Sequence, residues 1–237
     1  MNAPVRPRPA LLRLAAWLLP ALGLCHALLY AAIVPPWQGP DEPRHFEYIA
    51  QLARGITPAE PAAQALQGEI IASMIEHDFW EYGYSIAPFE PAAQPQTLDD
   101  IWPGFAHQTH QPPLYYRLAS LIARAAGRLP LAAQLQWVRY LSALLGAGVV
   151  WLAWATTRTL FPQRPGLAAG VSLFVALLPM HAFANAMANN DNLASFFVCA
   201  QVFVAARTLR HGVRPAELLA QVGLVGLALL SKRTGFI

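Results

Sequence analysis

The segment "PDEPRHF", Pro40 to Phe46, places two carboxylates and an imidazole within about one helical turn: Asp41, Glu42 and His45. A carboxylate in such a setting can act as a general base, taking a proton from a hydroxyl as it attacks, or can help hold a divalent cation. His45 is close enough in sequence to share that site. The same residues also have a purely structural reading, because an Asp ahead of a proline-started apolar-periodic segment is a common helix cap. The segment alone leaves both readings open.

Three further clusters carry polar chemistry. In "HQTHQPPLYYRLASL", His107 and His110 are three positions apart, a spacing that can hold a metal only on a helical backbone, and Pro112 and Pro113 follow at once. Tyr115, Tyr116 and Arg117 come next, with the tyrosines suited to headgroup level. In "NAMANNDNLASFF", Asn185, Asn189, Asn190, Asp191 and Asn192 combine amides with one acid, and Asp191 or Asn192 can equally cap a helix. In "GLALLSKRTGF", Lys232 and Arg233 end an apolar run. Cations there call for a partner such as a lipid phosphate, or they snorkel from a helix end.

The elements that must position these clusters are apolar. Of the 237 residues 56% are hydrophobic and 12% charged, so lipid is the expected solvent for much of the chain. The net charge of +3 forms no basic stripe with interleaved aromatics, which excludes a nucleic-acid partner. Runs at 14–34, 137–157, 167–183, 193–206 and 218–230 are the expected membrane helices; Arg139 lies near the start of the second. Pro20 and Pro179 are tolerable in such helices. Cys25 and Cys199 lie far apart inside these runs, with neither disulfide nor metal-knuckle spacing.

Basic residues of short loops stay on the cytoplasmic side. Arg6, Arg8 and Arg13 put the N-terminus inside, and alternation then puts Arg158, Arg164, Arg207, Arg210 and Arg214 on the same side. The expected organisation is a cytoplasmic N-terminus at 1–13, a first membrane helix at 14–34, an outer loop subdomain at 35–136, and membrane helices 2 to 5 within 137–237. The outer loop is acidic: 11 of the 13 acidic residues fall between Asp41 and Asp100. Within it, Glu42 to Ala53 has helical periodicity with Gly55 as a stop, Ala65 to Phe79 reads as a second helix, and Leu114 to Gly127 as a helix lying in the interface. Thr57 to Pro61 and Pro88 to Pro95 read as irregular.

One span, an acidic pair opening a long outer loop, "HQPPLYY" near its end, an Asn-Asp pair in the next outer loop and then "GLALLSK": this order resembles the GT-C superfamily of integral-membrane glycosyltransferases, along the chain from Leu14 to Phe236. The resemblance implies an all-α polytopic helix bundle in the bacterial inner membrane. It implies transfer of a sugar from a polyprenyl-phosphate carrier to a glycan, lipid or protein acceptor at the outer face, with inversion. Asp41 would be the base and Glu42 its neighbour. The leaving phosphate would be met by Arg117, Lys232 and Arg233 or by a divalent metal ion, and His45, His107, His110, Tyr115, Asn190 and Asp191 would line the substrate site. Superfamily members usually have more spans, so the chain is expected to be an N-terminal portion, or else a short relative without a complete site. The alternative is a non-catalytic scaffold or transporter fragment whose acidic loop binds a partner, although a transporter should place polar groups at mid-bilayer.

Overall fold

The computed structural model describes residues 9–82, 95–103 and 107–233. Arg6 and Arg8, all but the last residue of the irregular Pro88 to Pro95 stretch, and the final Thr234-Gly235-Phe236 of the last motif lie outside the described residues. Every regular element among the described residues is helical. The apolar helices are α1 (Pro9–Ile33), α7 (Leu131–Leu160), α8 (Pro165–Leu177), α9 (Pro179–Ala184), α10 (Asp191–His211) and α11 (Pro215–Ser231). Between α1 and α7 lie α2 (Glu42–Arg54), α3 (Pro61–Glu76), α4 (Phe79–Tyr82), α5 (Leu98–Ile101) and α6 (Leu114–Ala125), with a single 3-10 turn at Gln108–His110. The chain is an all-α polytopic membrane protein.

Among the described residues three helices are long and apolar enough to cross a membrane: Leu14–Ile33, Leu131–Leu160 and Asp191–His211. At about 1.5 Å per residue, the 30 residues of α7 extend about 45 Å, past a bilayer's hydrocarbon core. The apolar helices α8 and α11 are shorter. The run expected as one helix over 167–183 is broken. Leu178 is extended (φ −68°, ψ 113°) and splits it into α8 and α9. The cause is Pro179, which lacks an N–H and disfavours helical geometry in the residue before it.

Helix α7 is the centre of the bundle, packed on α1, α8 and α10, with α11 against α10. The outward faces carry Trp17, Leu29, Phe174, Leu209 and Val222, an apolar surface suited to lipid. Small residues set the close approaches. At Gly146 a Cβ would stand 2.6 Å from Asn185 Cγ, and Asn185 is itself held by a 2.8 Å bond from its amide to the His181 carbonyl. Gly146→Ala is therefore expected to cost about 1–3 kcal/mol. It should be read as a lower thermal unfolding midpoint in detergent; an unchanged midpoint would show that Asn185 moves freely.

On one end of the bundle α2, α3 and α6 form a second layer. Its core of Trp37, Phe46, Ile49, Leu66, Ile70, Met74, Tyr115 and Tyr116 continues into Leu135 and Val138 of α7. Helix α2 stops where expected, with Gly55 in the left-handed region at φ 70°. It is buried well beyond its apolar stripe, because its polar residues are paired. Arg44 bridges Glu47 and Asp99, and Glu47 also accepts from Gln51 and Gln67.

Candidate active site

The two acids that open the outer loop have opposite fates. Glu42 is fully buried against Arg139 of α7, with Arg139 Nε 2.9 Å from one carboxylate oxygen and Nη2 2.6 Å from the other. Glu42 also accepts from the backbone N–H of Gly39 (3.3 Å) and of Ala188 (3.0 Å). Arg139 spends its remaining donors on the carbonyls of Ala31 (3.4 Å) in the last turn of α1 and of Val34 (2.8 Å) and Pro35 (2.9 Å) just past its end. This one pair therefore ties α1, α2, α7 and the loop before α10 together at one end of the bundle. Its forked, charge-assisted geometry is the kind that holds a buried ion pair in place.

Asp41 occupies the N-cap position of α2, yet its side chain caps nothing. Its backbone is left-handed (φ 54°, ψ 12°), an unusual conformation for a non-glycine residue, and its side chain is exposed. The capping reading of Asp41 is thus overturned: the carboxylate is turned out and held by a rigid neighbour whose own carboxylate is committed. Strain of this kind at a free functional group is common in reactive sites.

One turn on, His45 is buried, its Nδ1 2.9 Å from the Tyr116 hydroxyl and its ring stacked on Tyr116 with centroids 5.9 Å apart. Burial lowers the His45 pKa to about 4, partly opposed by the charge of Asp191 and reinforced by that of Lys232. Burial also drives the Tyr116 hydroxyl far above its ordinary value, with Asp191 and Asp41 adding to the effect. At neutral pH the imidazole and the phenol are both uncharged.

The other side of this space comes from α10 and the end of α11. Lys232 is ion-paired with Asp191. The Asn190 amide donates to the Ser231 carbonyl at 3.1 Å, fixing the start of α10 to the end of α11. The Asp191 N–H is in turn held by Asn189 Oδ1 at 2.8 Å. Asp41, His45, Asn190, Asp191 and Lys232, separated by up to 191 positions in sequence, thus gather at one end of the bundle. Among the described residues no three His, Cys, Asp or Glu side chains converge as a metal site would require. Lys232 is the cation paired with Asp191 there.

The remaining expected residues have other partners or are exposed. Tyr115 is fully buried with its hydroxyl 3.3 Å from Ser142 Oγ. His107 Nε2 is 3.5 Å from Asp99, and His110 is exposed at the end of the 3-10 turn. Arg117 and Arg233 are exposed.

The family model described as dolichyl-phosphate-mannose-protein mannosyltransferase matches residues 110–237, more than half of the chain. The chain belongs to this family. As a member of the dolichyl-phosphate-mannose-protein mannosyltransferase family it is a membrane glycosyltransferase of the GT-C type. The family match takes in Tyr116, Asp191 and Lys232, whereas Asp41, Glu42 and His45 precede it. Comparison with curated proteins and with solved structures gives no match.

Two residues that organise the site escaped the sequence reading. Arg139 had a visible signal: a cation inside an apolar run demands a carboxylate at the same depth, and Glu42 follows the end of the preceding span. Tyr116 had none, since both tyrosines of "LYYR" are buried and only the packing of α6 on α2 turns Tyr116 toward His45.

Proposed function

We propose that the protein transfers a sugar from a polyprenyl-phosphate carrier to an acceptor hydroxyl at the outer face of the bacterial inner membrane. The observation that carries this reading is a free, exposed carboxylate, Asp41, gathered with the Asp191–Lys232 pair at one end of an apolar helix bundle in a glycosyltransferase family. Asp41 takes the proton of the acceptor hydroxyl as its oxygen bonds to the anomeric carbon. The bond from that carbon to the carrier phosphate breaks on the opposite side, the phosphate leaves with the electron pair, and the configuration inverts. Lys232 meets the charge that develops on the phosphate, with the exposed Arg233 and Arg117 as further cations at the surface. In this reading α8 with α9, and α11, also cross the membrane, the segment 35–136 is periplasmic, and the N-terminus is cytoplasmic. The hydrogen bonds from Arg139 to Val34 and from Asn190 to Ser231 support that alternation, because they join the end of α1 to α7 and the start of α10 to the end of α11.

The test is a transfer assay with polyprenyl-phosphate mannose and the protein reconstituted in vesicles, following loss of sugar from the carrier. Lys232→Gln is expected to reduce kcat/KM for the carrier by about 10²–10³-fold, as loss of one preorganised donor to a developing oxyanion does. Turnover equal to that of the unsubstituted protein would remove Lys232 from the mechanism. Orientation has its own test. Gln64 is exposed on α3, and a Gln64→Cys variant in intact cells should react with a membrane-impermeant maleimide, read against the unsubstituted protein, whose Cys25 and Cys199 lie within α1 and α10. Labelling only after the cells are opened would put the acidic layer on the wrong face for this reaction.

A further inference from the structure

The hydrogen bonds around Tyr116 determine which nitrogen of His45 carries its proton. Tyr116 Oη lies 3.3 Å from Gln108 Oε1, an atom that can only accept, so the phenol proton points there. The phenol oxygen is also 2.9 Å from His45 Nδ1. With its one proton already committed, Tyr116 can only accept from His45, so His45 is protonated at Nδ1 and bare at Nε2. The stacked Tyr116 ring restrains the imidazole, and Tyr48 packs on Tyr116 in turn with centroids 4.4 Å apart. His45 Nε2 has no hydrogen-bond partner among the described residues. The charged groups felt by this ring are Asp191 at the start of α10 and Lys232 after α11, of opposite sign and paired with each other.

We propose that Tyr116 and Gln108 are positioning residues that lock His45 in its Nδ1–H tautomer, leaving Nε2 to accept a hydrogen bond from a hydroxyl of the sugar-bearing substrate. The assignment of that hydroxyl to a sugar rests on the glycosyltransferase reading above; the tautomer does not. Nε2 is not sealed from water, so a hydroxyl-bearing ligand can replace water at the bare lone pair, whereas a ligand lacking that group would leave the nitrogen unpaired on binding, which favours the former. Burial keeps the ring uncharged, so Nε2 remains an acceptor at neutral pH. The chain from His45 through Tyr116 to Gln108 also links α2, α6 and the turn at 108–110, so the acceptor atom is held by three separate segments.

Nitrogen-15 NMR of the full chain, labelled at its 7 histidines and held in lipid nanodiscs, reads the tautomer directly, with the His45 signals assigned by their loss in His45→Gln. At pH 7 the unsubstituted protein should show His45 protonated at Nδ1 only. Gln108→Leu frees the Tyr116 proton to turn toward Nδ1 and should shift the population to Nε2–H; Tyr116→Phe should abolish the preference. Gln108 is half-buried and at the surface, so the first variant keeps the proposal testable if the second does not fold. Nε2–H in the unsubstituted protein, or a tautomer indifferent to Gln108→Leu, overturns the proposal. Addition of polyprenyl-phosphate mannose should then move the Nε2 resonance, and Tyr116→Phe should lower kcat/KM about tenfold, the size of one hydrogen bond. Turnover with an unmoved Nε2 resonance overturns the substrate contact alone. The Nδ1–H tautomer without any turnover supports the lock and counts against the glycosyltransferase reading instead.

Discussion

Replacing Asp41 by Asn is expected to cut sugar transfer by about 10²–10⁴-fold, the usual contribution of a positioned general base, while leaving the thermal unfolding midpoint unchanged. The stability half follows from geometry. The Asp41 side chain makes no capping hydrogen bond and is exposed, so the fold loses no contact when the carboxylate becomes an amide. The backbone half follows from φ 54°, because Asn is among the few residue types that tolerate the left-handed region and carries the strain no worse than Asp. Asp41→Ala would add a backbone penalty and confuse the two effects; Asp41→Asn separates them. An Asp41→Asn protein that transfers sugar at the normal rate would remove Asp41 as the base, and the exposed Asp191 carboxylate would be the next to test.

The adjacent acid should behave in the opposite way. Glu42→Gln leaves the Arg139 guanidinium buried without its counter-charge, and Arg139→Met leaves the Glu42 carboxylate stranded. Each is expected to cost about 3–5 kcal/mol, the range found when one partner of a buried pair is removed. That is a large part of the 5–15 kcal/mol by which native proteins are typically stable. Both variants should appear as a steep fall in the yield of folded protein and in its unfolding midpoint, with activity lost in proportion to folded material. The double variant should cost much less than the sum of the two, because the stranded charge is then gone. Single variants with normal midpoints would show that water or rotation relieves the charge and that the pair does not organise the site. Whatever activity survives per folded molecule of Glu42→Gln reads the role of Glu42 in chemistry, separately from its role in holding α1, α2, α7 and Ala188 together.

Membrane residence, helicity and the position of α2 were legible from residue order, since hydropathy and periodicity are local properties and a bilayer leaves the backbone little choice but helix. Gly55 as a stop and Leu114–Ala125 as an amphipathic helix belong to the same class. The order of the motifs also pointed to the GT-C superfamily, which the family match over 110–237 supports. The break at Leu178 was legible in principle, because Pro179 acts on its own neighbour, but tolerance of proline in membrane helices hid it.

What only the tertiary structure decided is the division of labour among polar residues. Asp41 and Glu42 are adjacent and chemically alike, yet one is exposed and unbonded while the other is sealed against Arg139, 97 positions away. Tyr115 and Tyr116 are likewise adjacent, and the crossing of α6 over α2 sends one hydroxyl to Ser142 and the other to His45. Local sequence states which groups are available. Which of them is left free to react depends on long-range pairing, because a buried charge or hydroxyl must find its partner wherever the fold has brought one.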